Sequence, residues 1–286
     1  MPKFGLRDVK AMGLAAAIAL AVGCGSAAFA GDTLNRLQDQ GYARIAIANE
    51  PPVTEVTPDG KVTGAAPEVV RAVLKELGVD EVVASVSEYG AMIPGVQSGR
   101  FDIVAAGLFI RPERCKAVLF AEPDMCSAEA FAVKAGNPLG LQGFGDVAKH
   151  ASARIAVLGG TSEEKLATDA GVPRDRIQIA PDGQSGLKML QDGRVDVFSL
   201  PTLSISDLLS KANDPGLEMI AAVNDAPIGC SAPAFRREDR ALRDAYDAAY
   251  AKLKEAGVTG KIVQSFGFPE EITDTTSREK LCGGPN

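Results

Sequence analysis

The residue types with the strongest chemistry in this chain favour binding over catalysis. His150 is the only histidine among 286 residues, and the five cysteines form no Cys-x-x-Cys pair. One histidine removes triads of the Ser-His-Asp kind, Cys-His dyads and most zinc sites, and the cysteine spacing gives no support to redox chemistry or thiolate metal sites. We therefore expect no catalytic residue, no metal and no cofactor.

Several polar and aromatic residues follow predicted strands, where open α/β sheets place their ligand contacts. Arg114 lies in the first turn of a helix after a predicted strand, and Arg111, three residues earlier, is equally eligible. The rings of Tyr89 and Phe109 could stack on a cation or be ordinary core residues. Glu50 follows the first strand and could pair with a cation or lie at the surface.

A glycine-rich turn supplies a second kind of contact. Residues 159–163 (GGTSE) follow a predicted strand and begin a helix. Backbone N–H groups at Gly160, Thr161 and Ser162, together with the helix dipole, favour a carboxylate at such a place. The alternative is that Ser162 only caps its own helix, and both interpretations can hold together.

Composition and charge are those of a globular, acidic chain. Hydrophobic residues make up 46% and charged residues 23%, and the net charge is -7. Residues 1–30 carry three basic residues and one acidic residue, so the rest of the chain is more acidic still. We expect neither nucleic acid nor anionic lipid as a partner, because both repel a surface of this charge.

Residues 1–30 have the pattern of a secretory signal peptide. Basic residues precede an apolar run at 11–23, and residues 28–30 (AFA) place small residues before a cleavage site. The run is too short to span a membrane. We expect export to the periplasm as a soluble protein; the alternative is cleavage before Cys24 and a lipid anchor on that residue.

The remaining cysteines are even in number, which in an oxidising compartment favours two disulfides. Four cysteines allow three pairings, and the sequence does not choose among them. Buried free thiols are the alternative. The residues concerned are Cys115, Cys126, Cys230 and Cys282.

Strands and helices alternate along the chain, and one stretch of this pattern occurs twice. Residues 96–103 (VQSGRFDI) match residues 190–197 (LQDGRVDV) as a helix end, a glycine cap, a charged turn and a strand. The repeat indicates two related α/β lobes. Residues 128–134 and 231–237 are predicted to be paired strands that cross between them, and a helix at 240–255 returns to the first lobe.

This order predicts a discontinuous first lobe and a hinge. We expect residues 31–130 and 236–286 to form lobe 1 and residues 131–235 to form lobe 2. Two crossing strands allow a cleft that closes by rotation when a ligand contacts both sides.

The chain resembles the periplasmic substrate-binding proteins of ABC importers, specifically the amino-acid-type group, over nearly all of residues 33–282. The resemblance implies an α/β fold of the type II two-lobed kind, with a mixed sheet and flanking helices in each lobe and two hinge strands. It also implies a monomer that delivers a small solute to a membrane permease without chemical change. The most specific stretches are similar to ectoine- and hydroxyectoine-binding proteins: residues 45–52 (IAIANEPP), 62–68 (VTGAAPE), 87–94 (SEYGAMIP), 107–115 (GLFIRPERC), 163–166 (EEKL) and 181–193 (PDGQSGLKMLQDG).

The resemblance assigns roles to the candidate residues. Ectoine is a zwitterion with a carboxylate and a delocalised amidinium cation, so its site needs an anion clamp and an aromatic box. The wider group places a carboxylate-binding arginine at the position of Arg114. The ligand-binding residues that we predict are Glu50, Val53, Tyr89, Phe109, Arg114, Gly160, Thr161 and Ser162.

Val53 departs from the pattern, which has phenylalanine at this position. The change removes one wall of the box and leaves the ligand open to another zwitterion or to a polar or cationic amino acid. Residues 199–201 (SLP) end a strand where binders of α-amino acids usually carry aspartate, which argues against an ordinary amino acid. A remote alternative is an enzyme resembling cyclohexadienyl dehydratases, but we expect no carboxylate beside Glu50 in the cleft loops.

Overall fold

The computed structural model describes residues 32–269, 273 and 275–286. The predicted signal peptide, Cys24 included, lies outside these residues. The strands are β1 (Tyr42–Ile47), β2 (Glu55–Val56), β3 (Val62–Thr63), β4 (Glu81–Val86), β5 (Ile103–Val104), β6 (Leu119–Phe120), β7 (Met125–Ser127), β8 (Glu129–Lys134), β9 (Ile155–Leu158), β10 (Ile177–Ala180), β11 (Val197–Pro201), β12 (Leu217–Ile220), β13 (Gly229–Ser231) and β14 (Ala234–Phe235). The helices are α1 (Asp32–Gln40), α2 (Ala65–Glu76), α3 (Tyr89–Gln97), α4 (Pro112–Cys115), α5 (Phe144–Lys149), α6 (Ser162–Asp169), α7 (Gly183–Gln191), α8 (Thr202–Ala212), α9 (Arg240–Glu255), α10 (Val258–Ser265) and α11 (Arg278–Cys282).

Two five-stranded mixed sheets form the framework, in the orders β4-β1-β5-β14-β6 and β10-β9-β11-β8-β12. Each sheet begins with three parallel strands, so three carboxyl ends share one edge in each. Alternation along β8 explains the layers: Ala130 and Ala132 pack against α7 and α8, whereas Phe131 and Val133 face α5 and α6. The molecule is therefore an α/β protein with two sheet-containing lobes, as the sequence predicts.

The internal repeat is confirmed by matching geometry. α3 and α7 both end before a glycine with positive φ, Gly99 at 75° and Gly193 at 70°. Asp102 then accepts a hydrogen bond from the backbone N–H of Arg44 at 2.9 Å, and Asp196 accepts one from Arg154 at 2.8 Å. The two aspartates therefore join adjacent parallel strands in the same way.

The prediction of the paired crossing strands is wrong by a few residues. β8 joins the second sheet and β14 joins the first, so the segments at 128–134 and 231–237 do not pair with each other. The paired segments lie just before them, where β7 and β13 form a two-stranded antiparallel ribbon between the lobes. Two short strands in that position lack the apolar alternation on which the prediction depended.

Two disulfides link the four cysteines. Cys115 pairs with Cys282, which ties α4 to α11, and Cys126 pairs with Cys230, which joins β7 to β13. The expectation of two disulfides is confirmed. The second one places a covalent link within the ribbon that connects the lobes.

Within the described residues, no helix combines the length and apolar character needed to cross a membrane.

Candidate ligand-binding site

A cavity lies between the lobes, at the carboxyl ends of the parallel strands. Six of the predicted site residues line it: Glu50, Tyr89, Phe109, Arg114, Thr161 and Ser162, together with Gly107, Glu163 and Pro201. A second cavity shares part of this wall and is also lined by Val53 and Phe268. Seven of the eight residues predicted from the sequence therefore line one or both of these cavities. The eighth, Gly160, lines neither and contributes its carbonyl group to the site.

Arg114 spans the cleft from the first lobe. Its guanidinium donates one hydrogen bond to the carbonyl oxygen of Phe109 and another to that of Gly160, each at 2.8 Å. Burial and the nearby charge of Arg111 lower the pKa of Arg114 from its ordinary value. The two carbonyl oxygens fix the planar group at the cavity wall, where a carboxylate can pair with it.

Arg111 also crosses the cleft, but it contacts the glycine-rich turn and not the cavity. Its Nε donates to Ser162 Oγ at 2.9 Å. Ser162 does not cap its own helix. The hydroxyl of Thr161 caps α6 by accepting a hydrogen bond from the backbone N–H of Glu164. Ser162 is therefore the first residue of α6 and uses its hydroxyl to hold Arg111.

Glu50 is a buried carboxylate held from both lobes. Its Oε1 accepts a hydrogen bond from Ser204 in α8 at 2.6 Å, and its Oε2 accepts one from the hydroxyl of Tyr89 at 3.0 Å. Burial raises the pKa of Glu50 to about 7, and the negative charge of Glu163 adds to the rise while the two hydrogen bonds oppose it. A cation in the cavity would stabilise the ionised form.

Two further carboxylates lie near Glu50, whereas the sequence predicts no carboxylate beside Glu50 in the cleft loops. Glu163, in the first turn of α6, is buried and lines the cavity. Glu129, at the start of β8, is buried too, and burial with the charge of Glu163 raises the pKa of Glu129 well above its ordinary value. Glu163 was part of the glycine-rich motif, but a glutamate at a helix start usually faces solvent, so nothing local indicated its burial.

The two predicted aromatic residues stand on different supports. Tyr89 begins α3, and its hydroxyl oxygen also lies 2.7 Å from Ala106 O, so its single hydrogen is shared between that carbonyl oxygen and Glu50 Oε2. Phe109 packs on β13: a Cβ atom built on Gly229 would come 2.3 Å from its ring. The missing side chain at Gly229 is what lets this ring reach the cavity.

Val53 is buried beside the cavity, where the sequence predicts it. Its Cγ1 packs on Gly107 so closely that a Cβ atom there would lie 2.5 Å away. The aliphatic side chain thus covers the backbone at this wall and offers no ring. Among the described residues, no group of three or more histidine, cysteine, aspartate or glutamate side chains is arranged to hold a metal ion.

Backbone contact between the lobes completes the site. Gly90 N donates to Gly159 O at 3.2 Å, and a Cβ atom on Gly160 would lie 2.5 Å from the Cα of Gly90. Lys211 of α8 lies 3.6 Å from Glu55 of β2. Both lobes therefore supply residues to the cavity. These residues place a cationic clamp, buried carboxylates and aromatic rings around the same space.

Two lobes that close on a small polar cavity, joined by a two-stranded ribbon, define a type II binding-protein architecture. The match to a family model agrees with this class. Residues 43–269 match the bacterial extracellular solute-binding proteins, family 3, and the chain belongs to that family.

Individual relatives give the same result. A probable amino-acid ABC transporter periplasmic-binding protein, y4tE of Sinorhizobium fredii, is 32% identical over 262 residues, which cover 87% of this chain and 86% of the relative. A crystal structure of EhuB in complex with hydroxyectoine shares 60% identity and a TM-score of 0.87, covering 88% of this chain and 98% of that chain. The ancestral amino-acid-binding protein AncCDT-1, a precursor of cyclohexadienyl dehydratase, shares the fold with 24% identity and a TM-score of 0.71 over 82% of this chain and 99% of that chain.

Proposed function

We propose that the chain is the solute-binding component of an ABC transporter that captures ectoine or hydroxyectoine in the cleft and delivers it to a membrane permease. It acts in the periplasm as a monomer and leaves the solute chemically unchanged. For the lobes we propose limits within β7 and β13, because β8 lies wholly in the second sheet and β14 in the first.

The observation that carries the proposal is the charge pattern of the cavity. Arg114 offers a guanidinium at one wall, Glu50 and Glu163 offer buried carboxylates, and Tyr89 and Phe109 add two rings. A ring-shaped zwitterion with a delocalised cation satisfies all three features at once, since a carboxylate pairs with the arginine and the cation with the acids and rings. The 60% identity to the EhuB chain, which is solved with hydroxyectoine, supports the same ligand class.

A cationic or polar amino acid is the second candidate. Val53 in place of an aromatic residue weakens the case for a complete box, and the extra carboxylates suit a ligand with more than one nitrogen. Relatives of this chain include a probable amino-acid ABC transporter periplasmic-binding protein. The two candidates differ in the nature of the cation, delocalised in a ring or localised on an ammonium or guanidinium group.

Calorimetric titration separates the candidates. The secreted protein without its signal peptide is titrated with ectoine, hydroxyectoine, proline betaine and a panel of amino acids that includes arginine and cystine. The proposal expects saturable one-to-one binding of ectoine or hydroxyectoine, with amino acids much weaker. Tight binding of an amino acid, together with no heat of binding for ectoine or hydroxyectoine, would overturn the proposal. Recovery of unaltered ligand after long incubation tests the proposal that no reaction occurs.

A further inference from the structure

Phe268 is a third aromatic residue at the site, and no sequence pattern singles it out. It follows α10 near the end of the chain, more than 150 residues after Phe109. The residue is only 4% exposed and lines the second cavity together with Val53, Tyr89 and Phe109. The fold thus returns a distant ring to the place where the box lacks one.

Backbone geometry holds this ring in position. Gly267 has φ of 88°, a left-handed conformation that favours glycine, and turns the chain after α10. Hydrogen bonds from Gly267 N to Gln264 O and from Phe268 N to Val263 O, 2.9 and 3.1 Å long, close the helix end. A fixed backbone leaves the phenyl ring little freedom, which favours a defined wall over a loosely packed side chain.

We propose that Phe268 is a specificity-determining residue, and that it supplies the aromatic wall that Val53 lacks. Val53 packs on Gly107 and contributes only an aliphatic surface to the shared cavity. A phenyl face on the same cavity attracts a delocalised cation through its quadrupole, whereas an aliphatic wall does not. This inference rests on the proposed function, since it concerns the cation of the same ligand.

The test compares two neighbouring phenylalanines. Phe268→Leu keeps an apolar side chain but removes the ring, and Phe268→Tyr keeps the ring. Phe266→Leu is the matched control, because Phe266 packs against the same core but does not line either cavity. Each variant is titrated with ectoine by calorimetry after its melting temperature has been measured without ligand.

The proposal expects Phe268→Leu to weaken ectoine binding between about twofold and thirtyfold, the range of one cation–π contact. Phe268→Tyr should stay closer to the parent, and Phe266→Leu should bind like it. Equal affinity of Phe268→Leu and the parent overturns the role of Phe268 and leaves the proposed function standing. A parent that binds neither ectoine nor hydroxyectoine overturns both.

A second measurement applies if Phe268→Leu fails to fold. The chain contains no tryptophan, so Phe268→Trp and Phe266→Trp each introduce a single fluorescent reporter. Ectoine should change the emission of the tryptophan at 268 and leave that at 266 nearly unchanged. The absence of any change at 268 at saturating ectoine overturns the proposal.

Discussion

At the scale of single residues, the site is a set of charges removed from water, and each charge needs a partner. Arg114 already gives hydrogen bonds to two carbonyl oxygens, which are neutral acceptors, and the negative charges of Glu163 and Glu113 act on it without a direct ion pair. Glu50 receives two hydroxyl groups, which are neutral donors. A zwitterion compensates both, because burying unpaired charges is costly and pairing them recovers that free energy.

Replacing Arg114 by alanine should therefore abolish most of the binding. We expect a loss of about 2–5 kcal/mol, or about 30-fold to several thousandfold in affinity, because the carboxylate loses its charged partner in a buried site. Arg111→Ala is the control and should cost about 1 kcal/mol, because it removes hydrogen bonds to Ser162 and no ligand contact. Calorimetry with ectoine measures both. A larger loss in Arg111→Ala than in Arg114→Ala would transfer the clamp to Arg111.

Binding of a cationic ligand should depend on pH through Glu50. Its pKa of about 7 lies above its ordinary value, so the folded protein holds this proton more tightly than the unfolded chain does. This carboxyl group therefore stabilises the ligand-free fold fully below pH 4.5, and that contribution is lost as the pH rises towards 7. A ligand that pairs with the ionised form must displace the proton below that pH.

We expect the affinity for ectoine to rise by up to about tenfold per pH unit between pH 5 and 7, and to level off above pH 8. Glu50→Gln should bind weakly and lose most of this slope, although Glu129, whose pKa is also raised, can leave part of it. Titrations in buffers of different ionisation enthalpy measure the proton released on binding. A parent protein with a flat profile contradicts the role of Glu50.

The residues that sequence reasoning located share one property, which is that they follow a strand or begin a helix. Glu50, Phe109 and Arg114 were located partly because they follow strands whose carboxyl ends converge, and the family resemblance supplied most of the support for Glu50 and the clamp role of Arg114. Ser204 was missed because its contact with Glu50 depends on packing between the lobes, and Phe268 was missed because the segment after α10 returns to the site through long-range packing within the first lobe. No local sequence pattern around Phe268 or Ser204 indicates that packing.

At the scale of elements, glycines let the two lobes meet. Gly160 follows β9 and has φ of 78°, and its Cα faces α3 of the other lobe. A Cβ atom there would lie 2.5 and 2.7 Å from backbone atoms of Gly90, and backbone cannot move aside as a flexible side chain can. Closure of the cleft to this depth therefore requires glycine at position 160.

Gly160→Ala should weaken ligand binding, and the strain of its backbone should not by itself account for the loss of affinity. Gly171→Ala is the matched control, because Gly171 has φ of 87° in the same lobe and open space around its Cα. Both variants bear the cost of a non-glycine residue in the left-handed region, about 1–2 kcal/mol of stability. Only Gly160→Ala should lower the affinity for ectoine, as measured by calorimetry. Equal affinities in both variants would show that the contact with Gly90 does not limit closure.

Element prediction succeeded for regular segments and failed for the ribbon. α9 follows a clear apolar periodicity, and the structure has it over the predicted range of 240–255. β7 and β13 contain three residues each, too few for any period to be recognised. Their pairing depends on contact between residues far apart in the sequence. The Cys126–Cys230 disulfide joins these two strands, but the sequence does not choose this cysteine pairing.

At the scale of the whole molecule, hydrogen bonds cross the cleft beside the apolar contacts that Tyr89 and Leu203 make with the opposite lobe. Besides Gly90 and Gly159, they include Arg111 with Ser162, Arg114 with Gly160, and Ser204 with Glu50. Such contacts exchange readily with water, so they add little net free energy by themselves. A ligand that contacts both walls adds its own binding free energy to the closed arrangement and shifts the balance towards it.

Ectoine should therefore compact the molecule and raise its melting temperature. At a hundredfold excess over the dissociation constant, binding to the folded state alone adds about 2.7 kcal/mol of stability. Small-angle scattering should record a smaller radius of gyration on addition of ligand, because rotation about the β7–β13 ribbon brings the lobes together. Gly160→Ala at saturating ectoine should compact less than the parent, since its added Cβ atom keeps the lobes apart. A parent protein whose radius of gyration is unchanged at saturation, while calorimetry shows binding, would mean that the cleft is already closed in solution and that the ribbon does not act as a hinge.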